Sequence, residues 1–420
     1  MKLFEGVGSV YCTLAAAILL VSGIYFLKKA HFFPFRKCGY ILKNTMGQIF
    51  KKNSGSSVRS FATSIAGTIG IGNIIGVAWA IRIGGPGAVF WIWMSALTSM
   101  MIKYSEIFLT LRHREKRNIG PICYMQTVIR SRPVLKFYAI LIVLSSILLG
   151  NMVQINAASS YIYEYSHQSP LFIGIILTII VVIVLCRNSE KMTSVLIFLV
   201  PIMGALYLIG GAVILFSDIG RLSDAFVQIF QGAFSLKSAT GGFLGSAMLI
   251  AARKGCMNGL FSHEAGVGSS AFAHSQTTDV PAEKEGLWGI VEVFIDSIVI
   301  SSITALILIS TAGPDGQTQI SIMPAFIQVF GDVGGWFCIM SVALFSVSSM
   351  ISWNYYGRCG IDYVKPSAFR AYMAVYLIST FIATQINTSG IWSFAEIINS
   401  TMMLINLYAL VRLRKQIRIE

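Results

Sequence analysis

From Ala66 to Gly76 the chain reads AGTIGIGNIIG, so that Gly67, Gly70, Gly72 and Gly76 share a short stretch with the polar Thr68 and Asn73. The surrounding segment is apolar and long enough to cross a bilayer. Glycine costs a helix ~1 kcal/mol relative to alanine and leaves the backbone free to depart from it. At membrane depth, unwound backbone persists only where protein or a wet cavity satisfies its amides and carbonyls. Two readings follow. The helix is broken there and offers N–H and C=O groups to a small solute and an ion, or the glycines form a face for close helix packing.

Other residues able to do chemistry are spread along the chain. Gly255, Gly259, Gly266 and Gly268 form a second glycine-interrupted apolar region, interleaved with Asn258, Ser262, His263 and Glu264. Lys103 and Glu106 stand at i, i+3 spacing, best read as a structural ion pair or snorkelling charges. Glu292 and Asp296, one helical turn apart, must face protein or water rather than lipid. Asn151, Gln154 and Asn156 interrupt another apolar run. Ser346, Ser348 and Ser349 supply hydroxyls that either coordinate a hard cation or bond back to their own helix. The seven cysteines and five histidines are scattered without metal-ligand or CxxC spacing, so neither a zinc site nor a disulfide framework is expected.

With 420 residues, 55% hydrophobic, 12% charged and a mean hydropathy of +0.71, the chain is an all-α polytopic membrane protein. At about 20 residues per span, its apolar runs allow roughly ten to twelve helices. The net charge of +14 does not point to nucleic acid, because the basic residues cluster in loops between spans. The N-terminal apolar run is too long for a signal peptide and is read as a retained helix.

Eleven spans are expected, at about residues 7–27, 60–82, 88–112, 137–162, 170–186 and 192–216, then from about Thr240 into the second glycine-interrupted region, and at about 286–311, 334–356, 371–386 and 391–411. Pro201 is expected to kink the sixth. The basic loops set the N-terminus outside and the C-terminus in the cytoplasm, leaving only Lys2, Arg82, Arg221 and Lys237 outside. With the first span set aside, the interrupted spans are the first and sixth of the remaining ten. That pattern signals two five-helix repeats of opposite topology with a binding site between them. The chain then divides into an extra helix with a basic loop (1–57), a first repeat (58–216) and a second, inverted repeat (217–420).

The motifs GNIIGVAWAIRIGGPGAVFWIWMSAL (72–97), KYSEIFL (103–109), GNMVQIN (150–156), GLFSHEAGVGSSAFAH (259–274), VFIDS (293–297) and SWNYYG (352–357) resemble the alanine or glycine:cation symporter family. The resemblance covers nearly the whole chain from Phe61. It implies a LeuT-type fold and sodium-coupled transport of a small neutral amino acid. It further implies that Gly70, Ile71 and Gly72 receive the substrate carboxylate by backbone N–H. Gln154, Phe261, Ser349 and Trp353 would wall the pocket, with residues 255–261 opposite. One sodium would lie between the carbonyls of Ala66 and Ile69 and the hydroxyls of Ser348 and Ser349. Thr68 and Asn73 would serve a second cation or support the pocket. Departures from the family pattern include His263 within SHEAG, Ile71, Ser349, Arg358, Glu396 and LINL at 404–407.

The expected function is therefore import of an alanine- or glycine-class amino acid with Na⁺, by alternating access in the plasma membrane of a bacterium or archaeon. Na⁺ is the coupling ion. No catalytic cofactor, nucleic acid or obligate protein partner is expected beyond the amino acid, sodium and surrounding lipid. A proton-coupled or other-solute carrier of the same fold, with Glu292, Asp296 or His263 as proton groups, and a non-transporting amino acid sensor are the alternatives. An enzyme is disfavoured because no nucleophile or metal cluster accompanies His263, Glu264 or Asp296.

Overall fold

The structure, a computed structural model, describes residues 2–49, 55–114, 120–185, 189–234, 247–312, 321–387 and 389–419. The expected start of the seventh span at Thr240 and much of the expected external loop 312–333 lie outside the described residues. Among those described, all regular structure is helical.

The principal helices are α1 (Lys2–Lys29), α2 (Gly55–Thr68), α3 (Ile75–Gly84), α4 (Gly87–Arg112), α5 (Arg132–Ser166), α6 (Pro170–Leu185) and α7 (Ser189–Ser217). They continue as α8 (Ile219–Ala233), α9 (Ala247–His263), α10 (Ser269–His274), α11 (Ala282–Ser310), α12 (Met323–Phe330), α13 (Asp332–Val364), α14 (Phe369–Ala383) and α15 (Ser389–Leu413). Among the described residues, six helices are long and apolar enough to cross a membrane, and the pair α2 and α3, bent by 53°, makes a seventh if taken as one broken span. Helices also stand at the other four expected spans. Of these, α6, α9 and α14 have 16, 17 and 15 residues, while the 26-residue α4 carries Lys103, Glu106 and Arg112.

The elements that hold the site pack in the interior. Helix α4 lies along α9 and α11, and α13 crosses α2 and α5. Small residues permit the close crossings: a Cβ on Gly255 would stand 2.3 Å from the Ala88 carbonyl oxygen, and one on Gly259 would stand 2.8 Å from Ser95 Oγ. Among the described residues, two helices carry a π-helical turn, a local widening that often marks functional positions. One, Leu148–Val153, directly precedes Gln154 in α5; the other, Phe294–Ile300, contains Asp296 in α11. Lipid-facing apolar residues remain exposed, as on α6, where Leu171, Phe172, Ile175, Ile176, Ile179 and Ile183 project outward.

Three sequence expectations change. Helix α9 runs unbroken through Gly255 and Gly259, so these glycines are packing contacts, and the interruption falls later, between His263 and Ser269. There Glu264, Gly266 and Gly268 take left-handed φ values of 54°, 94° and 88°. Lys103 and Glu106 do not form the expected ion pair with each other: Lys103 pairs with Glu292 at 3.4 Å, and both are buried. Near Ser9 and Glu396, Arg253 and Lys254 add basic residues to the end of the bundle where few were expected.

Candidate substrate and ion site

The first break lies between α2 and α3. Helix α2 ends at Thr68, Gly70 is extended, and Ile71–Asn73 form a single tight turn before α3 begins. Extended backbone is open to any residue, so the requirement for glycine at 70 is one of space. A Cβ there would stand 2.5 Å from Ser349 Oγ and 3.0 Å from Gln154 Oε1.

The freed backbone groups find neutral side-chain partners. Ser349 Oγ, on α13, donates toward the carbonyls of Ala66 at 3.0 Å and Ile69 at 3.3 Å. The Ile71 N–H donates to Gln154 Oε1 at 3.2 Å. Beside them, a cavity of ≈ 10 Å³, room for about one water, is lined by Gly67, Thr68, Gly72, Gln154, Phe261 and Trp353, together with Leu149, Glu264 and Asn399. Trp353 reaches this place because Gly150 has no side chain; a Cβ on Gly150 would lie 2.1 Å from that of Trp353.

Gly72, Gln154, Phe261 and Trp353 thus line one cavity, with Gly70, Ile71 and Ser349 against its edge. Two predicted residues sit differently. Ser348 is buried, but its hydroxyl donates to the Phe345 carbonyl of its own helix at 3.0 Å. Thr68 likewise donates to the Ile65 carbonyl at 3.2 Å.

Asn73 turns away from the cavity into an oxygen-rich cluster. Its Nδ2 donates to Asp296 Oδ1 at 2.8 Å, and its Oδ1 accepts from Ser262 at 2.5 Å and Ser301 at 2.7 Å. Ser262 Oγ also stands 2.8 Å from Asp296 Oδ2, which accepts from Ser297 at 2.7 Å. Ser262 has one proton for two acceptors, so the cluster holds more oxygen than its hydrogens can satisfy. In the sequence Asp296 stands out as a charge that must avoid lipid and as a candidate proton group, not as a partner of the first break. Its link to Asn73, which is far away along the chain, carried no local signal.

The second break is built differently. Lys103 Nζ donates to the His263 carbonyl at 2.8 Å, placing a cation on the C-terminal end of α9, where the helix dipole favours it. Glu106 Oε1 accepts the Gly266 N–H at 2.9 Å and the Asn406 amide at 2.5 Å, while Asn406 also donates to the Gly266 carbonyl at 2.8 Å. The Lys103/Glu106 spacing therefore splits its charges across the two sides of the break. Glu264 accepts from Trp353 Nε1 at 3.0 Å and from Ser269 Oγ. His263 accepts the Ala265 N–H at Nδ1, so its Nε2 carries the proton and donates to Ser95 Oγ at 3.0 Å. The ring is neutral and has a partner on each side.

On the side of α2 facing the basic loops, a buried charge network joins that helix to α10 and α11. His274 lies between Glu285 at 2.6 Å and Glu292 at 2.7 Å. Both ring nitrogens face carboxylate oxygens, so both donate. Ser57 and Ser64 of α2 donate to these two carboxylates at 2.6 and 2.9 Å. At the opposite end, a vestibule of ≈ 540 Å³ reaches Ile71 and Ile75 between Trp79, Tyr161, Glu164 and Trp392. The bundle is closed by polar contacts on one side of the broken helix and hollow on the other.

This helical bundle, whose broken helix lays unwound backbone beside a small central cavity, has the LeuT-type fold. The crystal structure of MhsT in complex with L-phenylalanine shares this fold, with a TM-score of 0.60 at 12% identity over 85% of this chain and 88% of that one. The chain belongs to the sodium:alanine symporter family, which it matches over residues 2–419. It is 28% identical to the sodium/alanine symporter AgcS of Methanococcus maripaludis, over 94% of this chain and 90% of that protein. An uncharacterized transporter of Haemophilus influenzae is 30% identical, over 96% of this chain and 91% of the relative.

Proposed function

We propose that this protein imports a small neutral amino acid of the alanine or glycine class together with Na⁺, by alternating access around the first break. The observation that carries the reading is the meeting of Gly72, Gln154, Phe261 and Trp353 at one cavity, directly beside the Ala66 and Ile69 carbonyls. The carboxylate takes the N–H groups of the 70–72 turn and displaces the neutral contact between Ile71 and Gln154. Sodium takes the Ala66 and Ile69 carbonyls and the Ser349 hydroxyl; a set of neutral oxygens suits a hard cation. A second cation belongs with Asn73, Asp296, Ser262 and Ser301 rather than with Thr68. In that cluster the Asp296 charge and the surplus acceptors would be offset by a cation.

In this reading the spans number eleven, with two inverted five-helix repeats at 58–216 and 217–420 following the extra unit 1–57. The N-terminus is outside, the C-terminus cytoplasmic, and the membrane is the plasma membrane of a bacterium or archaeon. The vestibule then opens outward, and the His274 network closes the inner side until α2 swings away. The direct experiment is uptake of labelled alanine or glycine into proteoliposomes under an inward sodium gradient. Uptake should vanish when choline replaces sodium; equal uptake in both would remove sodium coupling, and absence of uptake for every small amino acid would remove the substrate class.

A further inference from the structure

Between Glu5 and Glu106 the chain has no acidic residue, while Lys28, Lys29, Arg36, Lys37 and Lys43 fall within residues 28–43. The fold gathers part of this charge. Where α1 ends, His31 and Phe32 take left-handed φ values of 51° and 56°, and the chain reverses into a single turn of helix at Phe33–Arg36. The reversal brings Arg36 and Lys37 to the same basin as Lys29 and His31, a space of ≈ 400 Å³.

The floor of the basin is apolar. Phe26 and Phe33 are buried there, Met101 comes from α4, and Ile417 and Ile419 come from the residues that follow α15. Those residues are fastened to α4: the Tyr104 hydroxyl donates to the Arg418 carbonyl at 2.8 Å, and His113 Nε2 meets Gln416 Oε1 at 2.7 Å. Nothing of opposite sign faces the cations. Among the described residues no Asp or Glu lines the basin, and Lys29, Arg36 and Lys37 enter no ion pair. Arg414 adds a further like charge close to Lys29. Converging like charges repel, and an anion between them offsets that repulsion.

The kind of anion follows from the floor and the position. Helix α1 is long and apolar enough to cross a membrane, and Lys29 ends it, which sets the rim at headgroup level. Val21, Ile24 and Tyr25 are exposed along the last turns of α1, and Phe32 and Phe35 are exposed beside the rim. A free phosphate needs only the cations, whereas an apolar floor and exposed aromatic neighbours suit a molecule that carries acyl chains as well.

We propose that the basin binds one anionic phospholipid of the leaflet at this end of the bundle. Its phosphate takes Lys29, Arg36 and Lys37, its glycerol region rests on Phe33 and Met101, and its chains lie among the exposed apolar residues of α1. Bound, it neutralises the rim and ties α1 and the reversal after it to α4, the helix that carries Lys103 and Glu106. The binding stands on this geometry and does not depend on which solute is transported.

The test is native mass spectrometry of the purified full-length protein, titrated in detergent with phosphatidylglycerol or with phosphatidylcholine of the same acyl chains. Thermal midpoints are measured in parallel. Wild type is expected to hold one phosphatidylglycerol about tenfold or more tightly than phosphatidylcholine, and to melt several degrees higher with it. Joint Lys29→Gln, Arg36→Gln and Lys37→Gln should remove both differences. Arg130→Gln with Arg132→Gln, which neutralises exposed cations outside the basin, should remove neither. If the triple variant fails to fold, each single substitution is expected to lower the lipid preference in a smaller step, and single variants that leave it unchanged overturn the proposal. Equal affinity for the two lipids, or equal loss in the basin variant and the control variant, also overturns it. Displacement of phosphatidylglycerol by inorganic phosphate, with the same rise in midpoint, would assign the basin to a soluble phosphate and overturn the lipid.

Discussion

Two interrupted helical segments stand out among the described residues, and they are held by different chemistry. At the first, the loose backbone is met by neutral groups: the Ser349 hydroxyl on two carbonyls and the Gln154 amide on one N–H. At the second, it is met by buried charged groups: Lys103 on the His263 carbonyl and Glu106 on the Gly266 N–H. A neutral hydrogen bond contributes about 0.5–1.5 kcal/mol net, one to a charged group about 1.5–3. The neutral contacts at the first break cost less to exchange than the charged ones at the second. The second is clamped, and the clamp continues through Glu292 and His274 to α2. An interruption therefore does not by itself make a binding site; the partners of its backbone decide.

Substitutions can break this distinction. Gly72→Leu should have the largest effect on transport, abolishing uptake in proteoliposomes with little change in thermal midpoint. Its side chain must enter the space of Phe261, which a Cβ would already approach to 2.7 Å. Loss of fold instead of loss of transport would mean the first break is as structural as the second. Lys103→Met should act in the opposite manner. It uncaps α9 and removes a buried partner of Glu292, at a cost toward the low end of the ~3–5 kcal/mol seen for broken buried pairs, because His274 remains. The thermal midpoint in detergent should fall by several degrees; an unchanged midpoint with lost transport would place Lys103 in the transport step.

Gly255→Leu probes the glycines that pack rather than break. Overpacking against Ala88 should cost about 1–3 kcal/mol of stability, read in the same melting assay, with uptake per folded molecule largely kept. The two serines give the finest comparison. Ser349→Ala should raise the sodium concentration for half-maximal uptake about tenfold, whereas Ser348→Ala, whose hydroxyl bonds its own helix, should change it less than about twofold. Equal effects, or an effect only at Ser348, would relocate the ion.

The first break was legible because four glycines and two polar residues in an apolar span leave few alternatives, and the bend falls where AGTIGIGNIIG predicts it. The second was legible only as a region. Gly255 and Gly259 look the same in sequence as Gly266 and Gly268, yet one pair lets α4 approach and the other pair turns the chain. Composition cannot distinguish a missing side chain that admits a neighbour from one that permits positive φ. Likewise, the i, i+3 spacing of Lys103 and Glu106 suggested a pair on one helix. The stronger partners came from α11 and from the turn after α9.

By itself the sequence determined that the chain is an all-helical membrane protein, where its first core helix breaks, and, through its motifs, its family. Those features are local: hydropathy, glycine content and residue order act within a few turns of chain. Tertiary structure alone decided which break is held by neutral partners and which by charged ones, that Asn73 faces Asp296, and that Lys103 reaches Glu292. Each depends on which side chains arrive from distant helices, and whether a buried polar group is satisfied is a property of that assembly.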